Sequence, residues 1–293
     1  MKKIIFGTDW WGDCDDVVAL RVITRFIKDG RTQLLGIGVN TYMENSVASV
    51  RGFLNADGIH GVPIGIDRAA TDVRGIGFYH KRLAEDYAPS ITNEDAEDGV
   101  KLYRRLLAES DGKVVIAEVG FMNIITGVLK SGADEYSPKS GMELVKEKVS
   151  RIYVMGGRWN EDGAKEHNFS ITDWAARSAS EFLEICPVPI TLLGFEIGYG
   201  VMTGRKLDKQ DHLYRVLCDY NCPEGRHSWD PMLALLALLD NEEEAGYSSV
   251  EGEASVEADS GKNHFTEMVG GPHRYLKKLH DDSFYEDMID SYL

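Results

Sequence analysis

The sequence predicts an α/β fold, a single domain with a mostly parallel open sheet and helices on both faces. Apolar runs of strand length alternate with stretches whose apolar residues recur at helical spacing, and that alternation calls for right-handed β-α-β crossovers. Several strand-like runs end in glycine or a polar residue, as Val39-Asn40 and Met155-Gly156-Gly157 do, which lets the backbone beyond them turn sharply or approach a ligand. With 293 residues and an apolar share of 43%, the chain has material for one substantial core. No internal repeat, low-complexity run or composition break divides residues 1–293.

The elements follow in order. Lys2-Lys3-Ile4-Ile5-Phe6 opens a buried strand, and Val18, Val22 and Phe26 mark one face of the helix after it. Leu34 to Val39 reads as a second strand ending at Asn40, Glu44 to Ala56 as a helix through Val47, Val50, Phe53 and Leu54, and Val62 to Ile66 as a short strand. Between Asp67 and Gly99, a polar segment ending at Asp72 and the acidic run Asn93 to Asp98 bracket a helix over Tyr79 to Tyr87. Long connections of this kind often serve as lids or binding loops. Gly99 to Glu109 is helical, and Lys113 to Gly120 is a strand with Phe121-Met122-Asn123 at its carboxyl end. Ser150 to Gly157 repeats the design, followed by a polar loop from Arg158 to Phe169 and a helix from Thr172 to about Ile185. Pro189 to Ile197 reads as a further strand, Lys209 to Tyr220 and Asp230 to Leu239 as helices, and Ser248 to Thr266 as a hairpin.

The chemistry concentrates in the loop after the first strand, where Asp9, Asp13, Asp15 and Asp16 fall between a strand's carboxyl end and a helix's amino end. One aspartate there could cap the helix and suit its dipole. Four acids in eight residues repel one another unless a cation, a proton or a donor offsets them, and the pattern favours a divalent metal site over a solvated turn. The net charge of -16, without clustered Lys and Arg, argues against a nucleic acid partner and for small ligands held with a cation. No opening stretch has the sections of a signal peptide and no apolar run approaches membrane-spanning length, so a cytosolic location is expected. Cys14, Cys186, Cys218 and Cys222 form no paired zinc-ligand doublets and read as free thiols.

With Asp9, Asp15-Asp16, the Met155-Gly156-Gly157 strand end, Glu166-His167-Asn168 and Asp230-Pro231 in view, the chain resembles the inosine-uridine preferring nucleoside hydrolase family over most of its length. The resemblance implies a calcium ion on a pocket floor and water activated against the anomeric carbon of a ribonucleoside or related furanoside. Asp9 resembles the family aspartate that binds the metal and takes the water's proton. Asp16 and Asp230 resemble metal-ligating carboxylates, and Met122 falls near where the family supplies a main-chain oxygen. Asp15, Asn40, Asn160, Glu166 and Asn168 resemble the residues that hold the sugar. The resemblance also implies association into dimers or tetramers. Structural readings compete: Asp230 before Pro231 makes a good helix start, Asn40 suits a turn, and Glu166 and Asn168 could be ordinary loop polars.

The chain departs from the family pattern at three places. The first motif usually reads Asp-x-Asp-Pro-Gly-x-Asp-Asp; here Gly7 replaces the leading acid, and the insert Trp10 to Cys14 is two residues longer. Asp13 is thus an extra acid that either joins the metal shell or competes with Asp15, and Trp10 and Trp11 either line the pocket rim or pack against neighbouring loops. The segment Gly120 to Asn123 is shorter than the usual Gly-Pro-Leu-Thr-Asn. Trp229 stands where many members carry a histidine that protonates the departing base, and indole has no proton to give at neutral pH. Either His227, His167 or His80 takes that role, or the leaving group needs no acid, or the activity has changed; His227 is the assignment taken forward, with Trp229 at the base.

Overall fold

Why the strands lie where they do follows from their alternation. In β1 (Lys2–Thr8), Ile4 and Phe6 enter one core while Ile5 enters another, so a helix layer must cover each face. The computed structural model describes residues 1–71 and 78–293; Asp72, at the end of the polar segment expected before the third helix, lies outside the described residues.

The remaining strands are β2 (Thr32–Val39), β3 (Ile64–Ile66), β4 (Glu97–Asp98), β5 (Val114–Glu118), β6 (Val149–Met155), β7 (Ala164–Lys165), β8 (Ile190–Leu193), β9 (Met202–Thr203), β10 (Arg226–His227), β11 (Tyr247–Val256), β12 (Lys262–Glu267) and β13 (His273–Lys278). The helices are α1 (Asp15–Lys28), α2 (Ser46–Ala56), α3 (His80–Tyr87), α4 (Gly99–Glu109), α5 (Asn123–Lys130), α6 (Gly141–Lys148), α7 (His167–Ser170), α8 (Asp173–Ile185), α9 (Phe195–Gly198), α10 (His212–Asp219), α11 (Trp229–Leu239) and α12 (Asp282–Asp290).

One sheet runs β4-β3-β2-β1-β5-β6-β8-β13-β11-β12-β7. From β4 to β13 the neighbours are parallel, and β11, β12 and β7 extend it antiparallel. Helices α1, α2, α3, α10, α11 and α12 contribute to the core on one face, and α4, α5, α6 and α8 to the core on the other. The expected mostly parallel α/β architecture is therefore the observed one. Among the described residues no helix is long and apolar enough to cross a membrane.

Two side-chain arrangements shape the elements that carry the site. Arg21 of α1 is buried against Asp57 at the end of α2 (3.1 Å) and Asp211 before α10 (2.8 Å), while His212 Nε2 lies 3.0 Å from Asp57, so one knot ties three helices. Gly7 and Glu118 are register partners in β1 and β5. A Cβ on Gly7 would overlap the Glu118 carboxyl, and the Tyr103 hydroxyl would lie 2.7 Å from it. Burial pushes that carboxyl up to about 8, with the Tyr103 hydroxyl opposing.

The expected strand from Pro189 to Ile197 stops at Leu193. Phe195 N turns to donate to Gly157 O (2.8 Å), and Ile197 N closes on Gly194 O (3.0 Å), which makes residues 195–198 a helical turn instead. The polar loop from Arg158 to Phe169 contains β7 and the short α7. The expected hairpin is present as β11 and β12, and β13 joins it to the parallel strands.

Candidate active site and metal centre

The loop after β1 is built to turn acids inward. Cys14 is the residue before α1 and its side chain makes no cap bond, so Asp15 and Asp16 stand inside the first turn and neither is a cap. Thr8 donates its hydroxyl to Asp16, and Trp10 N donates to the same oxygen at 3.2 Å. Asp230 is not a cap either: Ser228 precedes α11, and the Asp230 amide donates to Asp15 Oδ2 at 3.2 Å. The packing of α1 beside α11, through apolar residues such as Val18, Val22, Leu233 and Leu236, brings these distant acids together.

Oxygens of Asp15, Asp16 and Asp230, all buried, lie within 4.8 Å of one another. Each carboxyl is held well above the usual range, by burial first and then by its acidic neighbours. Asp9, on the same cavity, is pushed up to about 7 by burial and the charges of Asp15 and Asp13, against a hydrogen bond from the Trp11 backbone amide and one with the Asp16 side chain. Among the described residues no donor reaches the Asp230 carboxylate, and the one guanidinium on the cavity, Arg226, is held by Asp13. Three hard oxygen donors whose mutual repulsion is only partly offset by the Thr8 hydroxyl, the Trp10 and Asp230 amides and the Arg226 charge suit a divalent cation.

Above this floor opens a cavity of about 520 Å³, lined by Asp9, Trp11, Asp13, Asp15, Asp16, Phe78, Glu166, His167, Asn168, Phe195, Tyr220, Arg226, Trp229 and Asp230, with Gly12, Val119 and Met155. Glu166 accepts from the amides of Gly157 (3.1 Å) and Asn168 (3.0 Å), and the left-handed backbone of Gly157, φ 80°, aims its amide there. Burial raises Glu166 to about 7 against those amides. Asn168 donates its side-chain amide to Val119 O (2.8 Å) and Met155 O (3.1 Å), clasping the ends of β5 and β6. Trp229 stacks on Phe195 at 5.3 Å and donates its indole N–H to Phe195 O at 2.8 Å.

Four expected site residues do not line this cavity. Asn40 is fully buried and braces the loop after β5, donating to Phe121 O (2.8 Å) and accepting from Phe121 N (3.1 Å). Asn160 is exposed beside the buried Trp159, within 3.4 Å of Arg158 Nε. The carbonyl of Met122 accepts from Thr126 N (2.9 Å) as the first acceptor of α5. His227 stacks on Tyr199 at 5.1 Å, and burial with the Arg226 charge holds its pKa low. His80 is also buried, bonds Trp10 O at 2.8 Å and is lowered to about 4 by burial, whereas His167 does line the cavity.

The insert divides in function. Trp10 is core: its N–H donates to Ser49 (2.8 Å), its ring meets Phe53 and Tyr79 edge-on, and its φ of 45° is held by this packing. Trp11 lines the cavity beside His167 at 5.3 Å. Asp13 pairs with Arg226 rather than with the carboxylate group. Phe195, Tyr220 and Arg226 were not singled out from the sequence; only their place before Asp230 or at a strand end could have pointed to them.

This fold, with acids gathered at the carboxyl ends of parallel strands, is the fold of the nucleoside hydrolases. The chain is similar to the inosine-uridine preferring nucleoside hydrolase of Bacillus anthracis, with 16% identity, a TM-score of 0.74 and 100% of both chains covered. A plant nucleoside hydrolase is similar at 16% identity and a TM-score of 0.73, over 99% of this chain and 98% of that one. The purine-preferring ribonucleoside hydrolase of Gardnerella vaginalis matches at 16% and 0.72, with the same coverage. No family model matches the sequence, and no curated protein matches it.

Proposed function

We propose that this chain, as one domain over residues 1–293, hydrolyses the N-glycosidic bond of a ribonucleoside with a calcium ion held by Asp15, Asp16 and Asp230. The observation that carries the reading is the convergence of carboxylates from residues 15, 16 and 230 beside Asp9 on one cavity floor. Calcium, when bound, supplies charge that keeps these carboxylates ionised, lowers the pKa of a water and offers sites for ribose hydroxyls. Asp9, on the same cavity floor as the three acids, accepts the proton of the attacking water. Glu166, fixed by two backbone amides, accepts from a ribose hydroxyl, and Asn168 holds β5 and β6 in place while offering its carbonyl oxygen. The aromatic wall of Phe195 and Trp229 faces the base.

The test is release of base from inosine and uridine. Asp9→Ala should lower turnover by roughly 10²–10⁴-fold, and removal of calcium with a chelator should abolish it, both with an unchanged far-ultraviolet circular dichroism spectrum. Undiminished turnover in either case would refute the reading. A second reading, hydrolysis of another small glycoside on the same floor, is favoured by the absence of a histidine before Asp230 and is separated by assaying nucleosides beside aryl ribosides.

A further inference from the structure

The departing base poses a problem that the histidines do not solve. Trp229 has its indole N–H committed to Phe195 O, His80 and His227 stand off the cavity, and His167, which lines it, packs against Trp11 and Phe121 and has its pKa lowered by burial. Arg226, in contrast, lines the cavity at its aromatic wall, its guanidinium 5.3 Å from the Tyr220 ring and 5.5 Å from the Trp229 ring. Asp13 engages Nε (2.8 Å) and Nη2, and Nη1 has no bond among the described residues. The partner that fixes this guanidinium belongs to the lengthened loop after β1, so insert and arginine form one unit.

We propose that Arg226, positioned by Asp13, meets the leaving group and stabilises it as an anion, and that the site therefore selects glycosides whose base departs as a stabilised anion. This deepens the hydrolase reading and rests on it. A guanidinium keeps its protons at any physiological pH, so it donates hydrogen bonds and charge without transferring a proton. The balance is complete: the bond from the anomeric carbon to the base breaks with its electron pair going to the base. Water forms the new carbon–oxygen bond, its proton passes to Asp9, and the anion is protonated by solvent after departure. The Asp13–Arg226 pair is neutral overall, so it holds no excess charge against a neutral base, and its remaining N–H groups can donate as negative charge develops.

The experiment uses the full chain with calcium and two probes, uridine and 4-nitrophenyl β-ribofuranoside, whose phenolate leaves without help. Arg226→Gln should lower kcat for uridine by roughly 10²–10³-fold, the scale of one lost oxyanion donor, and kcat for the nitrophenyl riboside by less than about tenfold. Arg226→Lys, which keeps the charge and loses the fork, should recover part of the uridine rate. The double variant Asp13→Asn with Arg226→Gln should keep the selective loss; recovery there would mean that Arg226→Gln acts only by stranding Asp13, and would overturn the proposal. Equal loss on both probes in Arg226→Gln and Arg226→Lys would overturn it too, as would the selective loss appearing in His167→Gln and not in Arg226→Gln. A wild-type chain that cleaves neither probe would sink the hydrolase reading and this one together; an active wild type with equal losses sinks this one alone.

Discussion

A single missing side chain lets the loop after β1 close against the loop after β5. A Cβ on Gly120 would overlap the Asp9 amide and come within 2.6 Å of Asn40 Oδ1, so the loop after β5 can press on the loop after β1 only because residue 120 has none. Gly120→Ala should therefore cost about 1–3 kcal/mol of stability and lower turnover by moving Asp9, measured by thermal melts and base release. At this scale the acids were legible in the sequence, because charge between a strand and a helix stands out. Their partners were not: Asp13 meets Arg226 across 213 residues, and Asn40 reads the same whether it touches a sugar or, as here, a backbone.

Helices α1, α2 and α10 depend on the carboxyl at the end of α2. Burial alone would raise Asp57, but His212, Arg21, Thr24 and Lys28 outweigh it and hold its pKa below the ordinary value. A depressed carboxyl contributes stability that is present above its unfolded value, about 3.9, and is lost as pH falls through the lower folded one. Asp57→Asn should cost about 3 kcal/mol at neutral pH by leaving Arg21 partly uncompensated, and should flatten the acid limb of stability against pH in urea titrations. Long periodic elements such as α1 and α8 were legible because apolar spacing reports a buried face directly. The missed α6, β13 and α12 are short and interrupted by charge, as in His273-Arg274-Tyr275-Leu276-Lys277-Lys278, and their identity is set by the neighbours they pack against.

Over the whole molecule, the proposed cation joins the first turn of α1 to the first turn of α11, 215 residues later, so binding and folding are linked. Calcium at about a hundred times its dissociation constant should add about 2.7 kcal/mol, a melting-temperature rise of several degrees that magnesium reproduces poorly because it resists dehydration; no shift with calcium would contradict the site. That the sheet is mostly parallel was legible from the alternation of elements, whereas the antiparallel extension through β11, β12 and β7 was legible only as a hairpin, since its docking is long-range. The buried carboxyl of Glu118 lies where a side chain on residue 7 would stand. An acid is thereby supplied to that spot by the neighbouring strand, and an acid at both positions would collide. Sequences of this kind can exchange one arrangement for the other only by two coordinated changes about 110 residues apart. A search keyed to the contiguous acidic motif would then pass over such a chain while the carboxyl itself stays in place.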